Sequence, residues 1–128
     1  MNLNKKLNSK KISKEVRKNI LLLTYKAKSA HIASALSIVD ILSVLYCNTL
    51  KFKSSKDKNR DIFILSKGHA CLALYCVLAE MNFFSKKYLN TYGKNYTKLM
   101  SHASHHVPGV EFSTGSLGHG ISFAVGKA

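Results

Sequence analysis

Arg60-Asp-Ile-Phe-Ile-Leu-Ser-Lys-Gly-His-Ala70 is the stretch whose reading decides the fold class. Asp61-Ile-Phe-Ile-Leu65 is a short apolar run of β-branched and aromatic residues, the pattern of a buried parallel strand. Ser66-Lys67-Gly68 supplies a tight turn, and His69 to Asn82 then reads as a helix with Leu72, Tyr75, Cys76 and Ala79 on one face. Strand, turn and helix in this order predict an α/β domain, a parallel sheet flanked by helices and helix-rich in these residues.

Upstream, Ile12, Val16, Ile20, Leu23 and Ala27 recur at helical spacing and predict a first helix. Residues 1–10, rich in Asn, Lys and Ser, predict a disordered basic head ahead of a domain over 11–128. Ser29 to Ser34 break the helical pattern around His31. A second helix is expected to open at Ser37 as N-cap, with Asp40 three residues later in a capping-box arrangement. Its core face would carry Ile38, Ile41, Leu42, Leu45 and Tyr46. Lys51 to Arg60 form a charged connection into the strand.

Downstream, Ser85 is expected to cap a short helix through Tyr92, which Gly93 ends. Residues 94–114 show no convincing periodicity, and a run of this length without regular structure inside a compact domain is usually functional. Helix resumes near Leu117 or Gly118, where Gly120, Ala124 and Gly126 would permit close packing.

The 128 residues are 46% hydrophobic and 20% charged, enough apolar material for one domain-sized core. The formal charge is +14, from 20 Lys+Arg against 6 Asp+Glu, which raises nucleic acid as a partner. The distribution argues against it. The bases cluster in the head and in Lys51–Lys58 without interleaved aromatics, and only Arg17 and Arg60 offer the planar fork that reads base edges and phosphates. A lysine-biased surface is the simpler reading. Cys47, Cys71 and Cys76 are odd in number and lack metal or redox spacing, so they are expected as reduced core thiols of a cytoplasmic protein. Ile20-Leu-Leu-Leu23 is too short for a signal peptide or a membrane span.

The densest chemical signal is Pro108-Gly-Val-Glu-Phe-Ser-Thr-Gly-Ser-Leu-Gly-His-Gly120, with four glycines where a loop passes into a helix. Glycine there lets backbone approach a ligand closely. Taken with Leu65-Ser-Lys-Gly-His-Ala70, His31 and His102, the run points to a cofactor pocket built from backbone groups and histidines. It fits neither a dinucleotide fingerprint nor a P-loop, because no Lys-Ser or Lys-Thr pair closes it. His102, His105 and His106 could alternatively bind a metal, but no cysteine or carboxylate lies at matching spacing. His105 and His106 read better as loop residues.

Ser29-Ala-His-Ile-Ala33, Arg60–Ala70 and Pro108–Ile121 resemble, in order and spacing, the N-terminal segment of transketolases, and in wording the split-type enzymes whose two halves are separate polypeptides. The resemblance runs from about Val16 to Ala128. It implies an incomplete thiamine-diphosphate-binding fold and transfer of two-carbon ketol units between sugar phosphates, with thiamine diphosphate and Mg2+ as cofactors. A thiazolium ylid attacks a ketose carbonyl, so oxygens gain and lose protons, and histidine titrates in the useful range. By resemblance His31 would contact substrate and assist proton transfer, and His102 would bind the donor ketose near its reacting hydroxyl. His69 would lie against the diphosphate or thiazolium. Gly115, Ser116 and Leu117 match the cofactor loop, with backbone groups meeting the aminopyrimidine ring and leucine packing on it. Glu111 matches a frequent acidic position of no assigned role. The implied partner is a C-terminal transketolase subunit or a second protomer.

The family usually has glycine at the positions of Ala30 and Ala33, and alanine would be strained if either needs positive φ. Ser101-His-Ala103 replaces a Gly-His-Pro context, and His119 stands where glutamine is common. The family's acidic Gly-Asp-Gly metal motif and its pyrimidine domain lie beyond Ala128. No metal ligand is therefore expected among these residues, and the isolated chain is expected neither to bind magnesium and thiamine diphosphate tightly nor to turn over. The other reading is a non-catalytic module that kept this part of the fold as a partner-binding or regulatory piece.

Overall fold

A computed structural model describes residues 8–128. Helix α1 spans Ser9–Ala27, its first turn capped by the Asn8 side chain, which accepts from the Lys11 backbone N–H at 3.2 Å. Ile12, Val16, Ile20 and Leu23 are buried, as their spacing predicts, and Ala27 is half-buried. Each such aliphatic side chain contributes about 1.5–3 kcal/mol when fully buried. Residues 9 and 10 belong to this helix; the expected disordered head otherwise falls on residues 1–7, outside the described residues.

The single second helix expected from Ser37 is two helices. Helix α2 spans Ile32–Leu36 and α3 Val39–Val44, with a wider turn over Leu45–Thr49. Ser37 ends α2 rather than capping α3: its hydroxyl donates to the Ser34 carbonyl and accepts from Lys67 Nζ, which leaves it nothing to offer a following helix. The buried face of α3 is Val39, Leu42, Ser43 and then Tyr46, which turns Ile41 outward at 60% exposure. Asp40 pairs with Arg17, holding α3 against α1 on the surface.

Asp61 to Leu65 run extended, but no strand is present among the described residues, and the expected parallel sheet is not seen there. A strand needs a neighbour for its ladder. The Asp61 backbone N–H instead donates to the Lys51 carbonyl, and its carboxylate accepts from the Lys51 N–H, which closes the charged connection. The one isolated bridge among the described residues is antiparallel, Ala103 with Thr114.

A short tight turn over Gly68–Ala70 leads into α4, Cys71–Glu80. Every residue from Cys71 to Ala79 is buried, so the one-sided face expected there is a helix buried all round. Helices α1 and α3 pack against it, and Phe52, Phe83 and Tyr46 close its far end in edge-to-face contacts of 5.1–6.2 Å. Ser85 caps a tight helical turn over Lys86–Thr91, accepting from the Lys87 N–H, and Gly93 follows with φ +69°.

Residues 94–114 form an irregular layer with a core of its own, in which Leu99, Ala103, Val107 and Val110 are buried. The chain then enters α5, His119–Lys127, through Gly118 at φ +89°. No helix among the described residues is long and apolar enough to cross a membrane.

Candidate functional site

Two stretches far apart in sequence lie side by side. Thr114 Oγ1 donates to the Leu65 carbonyl at 2.6 Å, and the Thr114 N–H donates to the Ala103 carbonyl at 3.1 Å. A Cβ on Gly68 would collide with the Thr114 carbonyl, and one on Gly120 would come within 2.6 Å of the Ser66 Cβ. Gly68 and Gly120 are therefore needed for close packing between the strand-end turn and the glycine run. Arg60 and Glu111 form an ion pair at the outer end of this seam, with side chains only 12% and 21% exposed.

This packing gathers three histidines. His69 stands in the turn before α4, His31 just before α2, and His102 in the irregular layer. Their ring centroids lie 4.7 Å (His31–His69), 4.8 Å (His69–His102) and 5.8 Å (His31–His102) apart, all edge to face. His69 and His102 are half-buried and His31 is exposed. Burial foremost, then the charges of His102 and His31, holds the His69 ring below its ordinary 6.5. None of the ion pairs among the described residues involves a histidine.

His31 sits at φ +69° and Lys28 at φ +48°, so the turn between α1 and α2 carries two left-handed residues without the freedom of glycine. The strain foreseen at Ala30 or Ala33 falls on neither; both have negative φ. Gly115 lies directly against His102, where an added Cβ would stand 3.2 Å from the ring Cδ2. Ser116 and Leu117 continue outward: Ser116 Oγ lies 3.5 Å from His119 Nε2, and Leu117 is 68% exposed. Of the residues named from sequence, the fold thus brings together His31, His69, His102 and Gly115, and leaves Ser116 and Leu117 on the open rim.

His105 and His106 stack on each other at 4.0 Å, and His105 Nδ1 lies 2.7 Å from Ser113 Oγ, clasping the loop. Tyr75 was legible only as a core residue. Its hydroxyl donates to the His102 carbonyl at 2.8 Å and accepts from the Ser104 N–H at 3.2 Å, which fixes the backbone carrying His102. A tyrosine on an otherwise apolar helix is the available signal, since a buried hydroxyl needs partners. Lys67, donating to Ser37 Oγ at 3.0 Å, likewise ties the turn to α2.

Three clustered imidazoles without a carboxylate partner, in a chain of net charge +14, suit an anionic ligand. Beside them stand a glycine backbone and an exposed leucine suited to a flat ring. Residues 9–128 match the family model described as transketolase, thiamine diphosphate binding domain. The chain belongs to the transketolase family. One of the two subunits of apulose-4-phosphate transketolase from Phocaeicola vulgatus is 40% identical over 118 residues, covering 91% of this chain and 42% of that protein. Human transketolase is 35% identical over 121 residues, covering 93% of this chain and 19% of that protein. Among solved structures, transketolase from Leishmania mexicana superposes with a TM-score of 0.84 at 28% identity, covering 94% of this chain and 18% of that one. The chain therefore spans less than half the length of these transketolases, over their thiamine-diphosphate-binding segment.

Proposed function

We propose that this chain is the N-terminal, cofactor-binding part of an enzyme that moves two-carbon ketol units between sugar phosphates. Residues 11–128 would form part of the pyrophosphate-binding domain. The observation that carries the reading is the convergence of His31, His69 and His102 beside Gly115. These residues fit thiamine diphosphate: the carboxylate-free histidine cluster suits its phosphates, and the Gly115 cradle with exposed Leu117 suits its flat ring.

In the assembled enzyme His69 holds the phosphate end, while the Gly115 and Ser116 backbone and the Leu117 side chain hold the aminopyrimidine. Bound there, thiamine diphosphate supplies a nucleophilic carbon for the ketose carbonyl, with Mg2+ neutralising its phosphates. His31 and His102 face the substrate side, where each holds or passes a proton at a sugar hydroxyl. Tyr75 keeps the His102 carbonyl in place. A C-terminal transketolase subunit or second protomer completes the site; the match to a relative that is itself one subunit of a transketolase supports this. Three free cysteines, two of them buried, suit the reducing cytoplasm.

The test is ketol transfer between two sugar phosphates by the assembled enzyme. His31→Ala and His102→Ala are expected to lower kcat by about 10²- to 10⁴-fold, the usual range for a positioned acid or base. Unchanged kcat in both variants overturns the assignment.

A further inference from the structure

The three imidazoles are close enough to feel one another's charge. Each sits within 4.7–5.8 Å of the other two, in a setting that is half-buried for His69 and His102. At such separations a second proton on the cluster is opposed by the first, and the opposition grows as water is excluded. A carboxylate would relieve it, but the acids around the fold are engaged elsewhere. Asp40 pairs with Arg17, Glu111 with Arg60 and Glu80 with Lys86, while Asp57 and Asp61 accept backbone N–H groups.

The other groups facing the cluster add no negative charge. Lys67, two residues before His69, carries a positive one and donates to Ser37 Oγ. The Ser101 hydroxyl lies 3.4 Å from His102 Nδ1, and the Tyr75 hydroxyl is occupied by the His102 carbonyl and the Ser104 N–H. The Cys71 thiol, pushed up to about 12 by burial, stays neutral and donates to the Met100 carbonyl. What the cluster lacks is an anion.

We propose that His31, His69 and His102 act as one proton-sharing cluster in which protonation and oxyanion binding drive each other, so that a phosphate-type anion brings a proton into the site. This rests on the anion-binding reading of the pocket and adds a regulation to it. At neutral pH the empty cluster stays largely unprotonated, and the arriving anion supplies the counter-charge that lets an imidazole take up a proton. That proton then stands beside the substrate-facing histidines.

The experiment is a nuclear magnetic resonance titration of the histidine rings in the full chain, without and with sulfate at constant ionic strength. Sulfate does not itself titrate near neutrality. The cluster is expected to bind sulfate about tenfold more tightly once protonated, read as higher midpoints for its rings. The exposed His106 and His119 serve as controls for general screening. Midpoints that move no more than theirs overturn the proposal. His102→Gln is expected to raise the His69 midpoint by removing a competing charge, and an unchanged midpoint also counts against it. Amide spectra verify the fold at each pH.

Repeating the titration with thiamine diphosphate, thiamine and ribose 5-phosphate separates a cofactor phosphate from a sugar phosphate as the natural source. A sulfate response without any thiamine diphosphate response would leave the proton coupling standing and remove the cofactor reading. Thiamine diphosphate perturbing the cluster without a rise in midpoints would do the reverse.

Discussion

Gly68 shows how much of this site depends on a missing side chain. Its Cα faces the Thr114 carbonyl so closely that any Cβ must push the two stretches apart. Gly68→Ala is expected to cost about 1–3 kcal/mol, as overpacking of a tight contact does, and to lower the thermal midpoint. Gly126→Ala is the control: nothing lies within 4 Å of its Cβ position, and it sits in α5. That change is expected to be neutral or to stabilise by up to about 1 kcal/mol. Lys28, left-handed at φ +48° and exposed, is expected to gain about 1 kcal/mol on replacement by glycine. Denaturant unfolding of the three variants checks all of these signs.

Elements meet at the site through a few buried polar contacts. The Arg60–Glu111 pair joins the run before Leu65 to the run before Thr114 in a half-buried setting, whereas Arg17–Asp40 joins α1 to α3 in the open. Glu111→Gln is expected to cost about 1–3 kcal/mol, the range for a partly buried bond to a charged group. Asp40→Asn is expected to cost under about 1 kcal/mol. Equal losses in chemical unfolding would contradict the distinction. Helix α1 was fully legible in the sequence because one side faces solvent and the apolar spacing survives. The break between α2 and α3 was not, because Lys67 reaches Ser37 from a distant turn. The extended stretch Asp61–Leu65 has the composition of a strand, but composition cannot show whether a ladder partner lies beside it. The histidines were legible as members of three motifs. Their meeting was not, since it depends on Thr114 bonding Leu65 and Tyr75 bonding His102.

At the scale of the whole molecule, a strongly basic chain surrounds a histidine cluster that the fold keeps short of protons. His69 sits below its ordinary value of 6.5, so on acidification the unfolded chain takes up that proton first. The stability this group contributes is complete above 6.5 and is lost as pH falls through its lower folded value. Thermal midpoints of the wild type are expected to fall across that window more than those of His69→Gln, and parallel curves would contradict the assignment. The most direct measurement for the central claim is the response of the ring signals of all six histidines and the Gly115 amide to thiamine diphosphate with Mg2+. The predicted result is saturable shifts at His31, His69, His102 and Gly115, with His105 and His106 unmoved. Shifts confined to His105, His106 or the lysine-rich surface, or none at all, would contradict it.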